Sequence, residues 1–250
     1  MKRLFSLLFL FCLIPISVFA SCLLYLYLYR DTGAVPSALL AGVTTIGSYE
    51  VTCAGPQSDA ACLRAYRKLK ETTGICLIQD RSDSRFNCTE NLVYLTQEDF
   101  ARDSMEAVHE YGHALDRALF GGGTGYFSRQ EPFAAAYDAD THTMRQRFDV
   151  EDFFRGEAFR NPAVSDILFT SFYEECEVTA VLTASYQAAG TPYWRHETEY
   201  MSEENHRRTE VFADIFVILL SDDEQAKNFL QAFFPVCTEQ LLENVKKYVE

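Results

Sequence analysis

The chain has 250 residues, with 22 Lys and Arg against 36 Asp and Glu, a formal net charge of -14, and 48% hydrophobic residues. That length holds one sizeable domain or two small ones, and 23% charged with 14% aromatic residues is the composition of a folded globular protein rather than a disordered one. The acidic balance, with no run of Lys or Arg longer than two, excludes nucleic-acid binding, because phosphate backbones are held by clustered cations.

Lys2 and Arg3 precede an uncharged apolar run from Leu4 to Phe19, and Val18-Phe19-Ala20 fits a signal-peptidase site, so residues 1–20 read as a signal peptide. Two other readings stand beside it. Phe19-Ala20-Ser21-Cys22 is an imperfect lipobox that would attach lipid to Cys22, and the uncharged stretch 4–29 is long enough to remain as a membrane anchor. Against the anchor, Leu24 to Tyr29 alternates Leu and Tyr, which is a strand period. All three readings put residues 21–250 outside the cytoplasm, secreted or on a periplasmic or extracellular face. The cysteines fit export: with Cys22 lipidated or embedded, Cys53, Cys62, Cys76, Cys88, Cys176 and Cys237 remain, enough for three disulfide bonds, whereas simple cleavage leaves an odd seven. Asn87-Cys88-Thr89 is a glycosylation sequon.

After a Gly/Pro-punctuated stretch through Gly55-Pro56, a helix is expected from about Asp59 to Thr73, with Gly74 as its stop. Ile75 to Gln79 and Leu92 to Thr96 read as short strands, and the polar loop Asp80 to Thr89 between them suits a hairpin connection. A helix over roughly Phe100–Phe120 ends at Gly121-Gly122-Gly123. Ser128-Arg129-Gln130-Glu131 is a capping box opening a helix to about Phe148. Helical patterns follow near Ser165–Ala188, Glu203–Leu220, Asp223–Phe234 and Glu239–Tyr248, with Pro235 between the last two. The fold class is α+β, mostly helical with a small mixed sheet near the N-terminus, in one domain.

His109-Glu110-Tyr111-Gly112-His113 is an H-E-x-x-H sequence inside the expected 100–120 helix. Residues four apart share a helix face, so both imidazoles can reach one zinc ion, and the Glu beside the first His can serve as general base toward the water that the ion activates. Gly112, between the two His, would let another element approach closely. A hydrolytic zinc site needs a third protein ligand, and three acids compete. Asp116 shares the face of both His but lies on a continuing helix, so it reads either as an acid that supports a ligand from behind or as a structural acid. Glu131 has a workable spacing, but the capping box gives it another role. Glu210 opens an apolar helical run in which Asp214 is the only other charge through Leu220. A lone buried carboxylate is costly unless bonded, and Asp214 accepting from a ligand His while Glu210 binds the ion would satisfy both.

His109-Glu110-Tyr111-Gly112-His113-Ala114-Leu115-Asp116, together with Glu210-Val211-Phe212-Ala213-Asp214-Ile215-Phe216, resembles the catalytic domain of anthrax lethal factor and the related Pro-Pro endopeptidases, over roughly residues 90–250. The resemblance implies a zincin-like metallopeptidase domain with Zn2+ held by His109, His113 and Glu210, Glu110 as general base, and Asp214 behind a His ligand where a Glu is more usual. The gap from His113 to Glu210 is much longer than in lethal factor, which makes about 138–200 an insertion. A tyrosine that would donate to the oxyanion is expected a few residues before Glu210; that position is Glu203, and Tyr200 is the nearest candidate, with Tyr193 behind it.

The expected function is therefore an exported zinc-dependent endopeptidase acting on a peptide or protein substrate, with Leu92 to Thr96 as an edge strand along which the substrate lies extended. A zinc-bearing binding protein without catalysis is the rival from another class. The acidic surface weakly favours basic substrates.

Overall fold

The computed structural model describes residues 53–150, 161–173, 175 and 198–250, and these belong to one compact unit. The signal, lipid and anchor readings, the Leu24–Tyr29 strand, Cys12, Cys22, Cys176 and Tyr193 lie outside the described residues. Among those described, no helix is long and apolar enough to cross a membrane.

Helix α1, Ala60–Thr72, starts where the Asp59 carboxylate accepts from the Ala61 and Cys62 amides at 2.9 and 3.0 Å. It buries the stripe Ala61, Cys62, Ala65, Tyr66 and Leu69. Gly74 is not its left-handed stop; Thr73 ends the helix in extended conformation and Gly74 opens strand β1, Gly74–Ile78. What position 74 requires is space, because a side chain there would collide with Leu92.

The sheet corrects the hairpin expectation. Strand β3, Leu92–Thr96, runs parallel to β1, with Gly74 opposite Leu92 and Ile78 opposite Thr96. The polar 80–89 segment contains its own short strand β2, Arg85–Asn87, antiparallel to β3, with Phe86 opposite Val93. Sheet order is β1-β3-β2. The hairpin lies between β2 and β3, where Asn87 Oδ1 accepts from the Thr89 and Glu90 amides and Asn91 turns at φ 53°. A three-residue strand carrying a single apolar side chain offers no alternation to read. Consequently β3 is central, with Val93 and Leu95 fully buried, and cannot be the edge that receives a substrate.

The expected 100–120 helix is two helices, α2, Gln97–Arg102, and α3, Met105–Phe120. Asp103 breaks them in the left-handed conformation, held by Tyr66 Oη and Lys70 Nζ at 2.8 and 2.6 Å. Ser104 then caps α3 through the Ala107 amide, and Gly121 ends it at φ 84°. Helix α4, Glu131–Arg147, opens without the capping box: Ser128 sits in a 3-10 turn, Phe127–Arg129, and Gln130 holds the cap position with no side-chain bond. Ser128 is drawn away because its amide is needed elsewhere, by Asp116.

Helix α5, Pro162–Ser171, packs on the later helix Glu204–Leu220 with Val164, Ile167 and Leu168 fully buried, so this part of the long 138–200 stretch belongs to the core. A single short turn of helix, α6, Thr198–Ser202, leads into α7, Glu204–Leu220, every residue of which from Thr209 onward is buried. Helix α8, Glu224–Phe233, is followed by α9, Pro235–Val249, which starts earlier than the expected Glu239. Its N-terminus is capped from another helix, the Asp140 carboxylate accepting from the Val236 and Cys237 amides at 3.3 and 2.8 Å.

Among the described residues no disulfide is formed, and Cys53, Cys62, Cys76, Cys88 and Cys237 stand as free cysteines. Cys53, Cys62 and Cys237 are buried in the apolar core, where a thiol packs as a small hydrophobe.

Candidate metal centre

Among the described residues helices α3 and α7 make the most extensive helix pair, and the reason lies at Gly112. A Cβ there would stand 2.9 Å from Ala213 Cα and 3.0 Å from Ala213 Cβ. The bare backbone lets α7 come close enough to bring its acids to the histidines of α3, as the position of Gly112 between the two His led one to expect.

His109, His113 and Glu210 then form one buried cluster whose ligand atoms all lie within 4.8 Å of one another. His109 Nε2 is 3.1 Å from Glu210 Oε2 and 3.1 Å from His113 Nε2, and His113 Nε2 is 3.4 Å from Glu210 Oε2. On the other side of the ring, His109 Nδ1 is 3.1 Å from Asp214 Oδ1. With Nδ1 turned to Asp214, Nε2 is the ring nitrogen that faces the cluster. Two imidazole nitrogens and a carboxylate oxygen so turned toward one point could hold a metal ion between them. Their separations match the roughly 3.3 Å edge of a tetrahedron with bonds of about 2.0–2.1 Å, and N/N/O donors suit zinc among other ions.

Electrostatics agree with a cation-seeking site. Burial alone would push the His109 imidazole down, but the hydrogen bonds and charges of Asp214 and Glu210 outweigh it and hold its pKa well above the ordinary value. Burial likewise opposes, and Glu210 reverses, the shift of His113, which also ends raised. Glu110 is 5% exposed; burial raises its pKa and the charges of His113 and His109 oppose the rise.

Asp116 is fully buried, and its Oδ1 accepts from the Ser128 amide at 2.7 Å. Through that bond it ties the 3-10 turn to α3. Burial pushes it up to about 7, against the Ser128 hydrogen bonds and the charge of His113. Its Oδ2 and the Nδ1 of His113 have no hydrogen-bond partner among the described residues. Glu131 is exposed and stands apart from the cluster, neither ligand nor part of a capping box.

Tyr200, on α6, donates to the outer oxygen of the cluster carboxylate, Tyr200 Oη to Glu210 Oε1 at 2.8 Å. Its ring stacks flat on His206, with centroids 4.0 Å apart and planes 2° from parallel, and His206 Nδ1 donates to the Tyr200 carbonyl at 3.0 Å. Burial, then the Glu210 charge, raises the phenol pKa far above its ordinary value. Not anticipated from the chain were Ser128, Arg129 and Thr209. Ser128 Oγ and Arg129 Nε both donate to Thr209 Oγ1, at 3.3 and 3.1 Å, directly before Glu210. Only the adjacency of Thr209 to Glu210 signals them in the sequence.

Comparison with protein-family models, with curated proteins and with solved structures found no match to this chain.

Proposed function

We propose that this chain is a zinc-dependent endopeptidase, exported by its N-terminal segment. The observation that carries the reading is the convergence of His109, His113 and Glu210 in one buried cluster, with Glu110 buried next to His109 in the chain and under the charge of both imidazoles. A bound zinc ion would supply Lewis acidity, lowering the pKa of water and polarising a peptide carbonyl.

The protein's own groups do the rest. Glu110 takes the proton from the attacking water and returns it to the leaving amine, and the raised pKa that burial gives it suits both halves of that transfer. Asp214 fixes the tautomer and ring orientation of His109. Tyr200 holds Glu210 through its outer oxygen, and donation to a developing oxyanion requires it to exchange that bond. An extended peptide has β2 rather than β3 to pair with, because β2 is an edge of the sheet and packs against α3.

The test uses the purified full chain. Metal analysis is expected to find one zinc per chain, and a diverse peptide library read by mass spectrometry is expected to show cuts that vanish in Glu110→Gln. Zinc without cuts would favour a binding protein that holds a peptide without cleaving it. Neither zinc nor cuts would overturn the reading.

A further inference from the structure

Arg129 ends the 3-10 turn Phe127–Arg129, between the helix that carries the histidines and the helix that carries Glu210. Its Nε donates to Thr209 Oγ1 at 3.1 Å, and its guanidinium carbon lies 4.8 Å from the centroid of the Tyr126 ring. Thr209 is itself fixed, donating to the Asn205 carbonyl at 2.9 Å, and immediately precedes Glu210. One edge of the guanidinium is therefore anchored and one face stacked, a preorganised arrangement for a planar fork. The side chain is nevertheless exposed. Among the described residues neither of its Nη groups has a hydrogen-bond partner and no carboxylate pairs with it.

Neighbouring arginines are engaged. Arg208 pairs with Asp138 and Glu204 at 3.0 and 2.8 Å, Arg207 donates to the Met201 and Ser202 carbonyls, and Arg117 donates to Asn91. Among the described residues, an arginine anchored through Nε with its fork open to solvent, next to the residue that precedes Glu210, is placed to take a partner from outside the chain. Its position fits that use: it is bonded to Thr209, the residue before Glu210, and its charge acts on Tyr126, Tyr200 and Asp116. Two parallel N–H donors match a carboxylate.

We propose that Arg129 is a specificity residue of the proposed peptidase, binding a substrate carboxylate close to the scissile bond, from either an Asp or Glu side chain or the peptide's C-terminus. The inference rests on the peptidase reading for its substrate class. It runs against the weak preference for basic substrates that the overall charge implies, because a guanidinium in contact outweighs distant screened charge.

The test uses full-length, zinc-loaded protein and one peptide series in two arms. In the first arm Glu is scanned against Gln along an amidated peptide; in the second, a neutral peptide carries a free or an amidated C-terminus. Binding is read by fluorescence anisotropy on Glu110→Gln, and kcat/KM on the protein with Glu110 intact. In at least one arm the carboxylate form is expected to bind about ten- to a hundredfold tighter than its neutral twin. That ratio is expected to fall to near one when Arg129→Gln is added, and to return in part with Arg129→Lys, which restores charge without the fork. A ratio near one in both arms, or one unmoved by Arg129→Gln, would overturn the proposal. If peptides bind with the expected ratio yet none is cut, the peptidase reading falls and the carboxylate site stands.

Discussion

Gly112 and Ala213 face each other at the crossing of the two helices that carry the candidate metal ligands, with room for no further carbon between them. His109 and His113 flank Gly112 on one helix, and Glu210 and Asp214 flank Ala213 on the other. Closeness at one point is therefore the condition for the whole cluster. In Gly112→Ala the added methyl gains about 1 kcal/mol of helix propensity and costs about 1–3 kcal/mol of overpacking. The net expectation is a lower melting temperature and, because the helices are pushed apart at the site, roughly tenfold weaker zinc binding in a chelator competition. Zinc affinity unchanged in a folded Gly112→Ala protein would mean that the cluster tolerates the separation.

Asp214 touches the cluster only through His109 Nδ1, so its effect can be separated from ligation. Asp214→Asn keeps the shape and an acceptor oxygen but loses the charge that favours the Nδ1–H tautomer and strengthens the imidazole as a donor. Zinc affinity is expected to fall about 10- to 100-fold, the usual cost of losing such a partner. Glu210→Gln, which alters a ligand itself, is expected to lose more. Equal losses in the two variants would place Asp214 on the ion.

The site was more legible in the chain than the sheet was. H-E-x-x-H needs only the 3.6-residue period to bring its side chains together, and Asp214 stood out because a lone acid in the apolar run after Glu210 demands a partner. The need for Gly112 followed from its place between two ligands. By contrast, β2 is too short and too polar to show a period, and whether β1 and β3 run parallel depends on which strand fills the edge beside them. Ser128 illustrates a local rule overridden: its spacing to Glu131 fits a capping box, yet the buried Asp116 carboxylate takes its amide first. The five described cysteines show a count that is compatible with bridges without requiring them, since a buried thiol also serves a core.

Asp116 gives the metal-free protein a pH dependence of known sign. Folded, its carboxyl is held protonated up to about 7 by burial; unfolded, an aspartate releases its proton near 3.9. Between those values the folded state binds the extra proton, so raising the pH through that window lowers stability, and above it the loss is complete. Asp116→Asn keeps an acceptor for the Ser128 amide and removes the titration. Its stability relative to the unsubstituted chain is expected to rise from pH 4 to 7, by on the order of a few kcal/mol, and then to level off. Urea unfolding of the chelator-treated proteins measures this. A difference constant across that range would show Asp116 to be ionised in the fold.

Thiol chemistry is expected to divide the described cysteines. Burial pushes the Cys53 thiol up to about 12 and those of Cys62 and Cys237 well above the ordinary value, so all three lack both exposure and thiolate. Cys76 and Cys88 are half-buried. Brief alkylation of the native protein followed by peptide mapping is expected to label Cys76 and Cys88, and to label the other three only after denaturation. Rapid native labelling of Cys62 or Cys237 would mean that the core around α1 and α9 opens readily.

Tyr200 can serve the site in two ways, and removing its hydroxyl separates them. As an oxyanion donor it would matter only in the transition state, and Tyr200→Phe would lower kcat by about 10²–10³ with zinc affinity intact. As the group that holds Glu210, it matters before any substrate arrives, and the same variant would weaken zinc binding by about tenfold while kcat at saturating zinc falls much less. The bond from Tyr200 to Glu210 Oε1 at 2.8 Å, with the ring stacked on His206, favours the second. Phenylalanine keeps that stack, so a loss in zinc affinity would report the hydroxyl alone. A large fall in kcat at unchanged affinity would instead show that the phenol leaves Glu210 for the substrate during turnover.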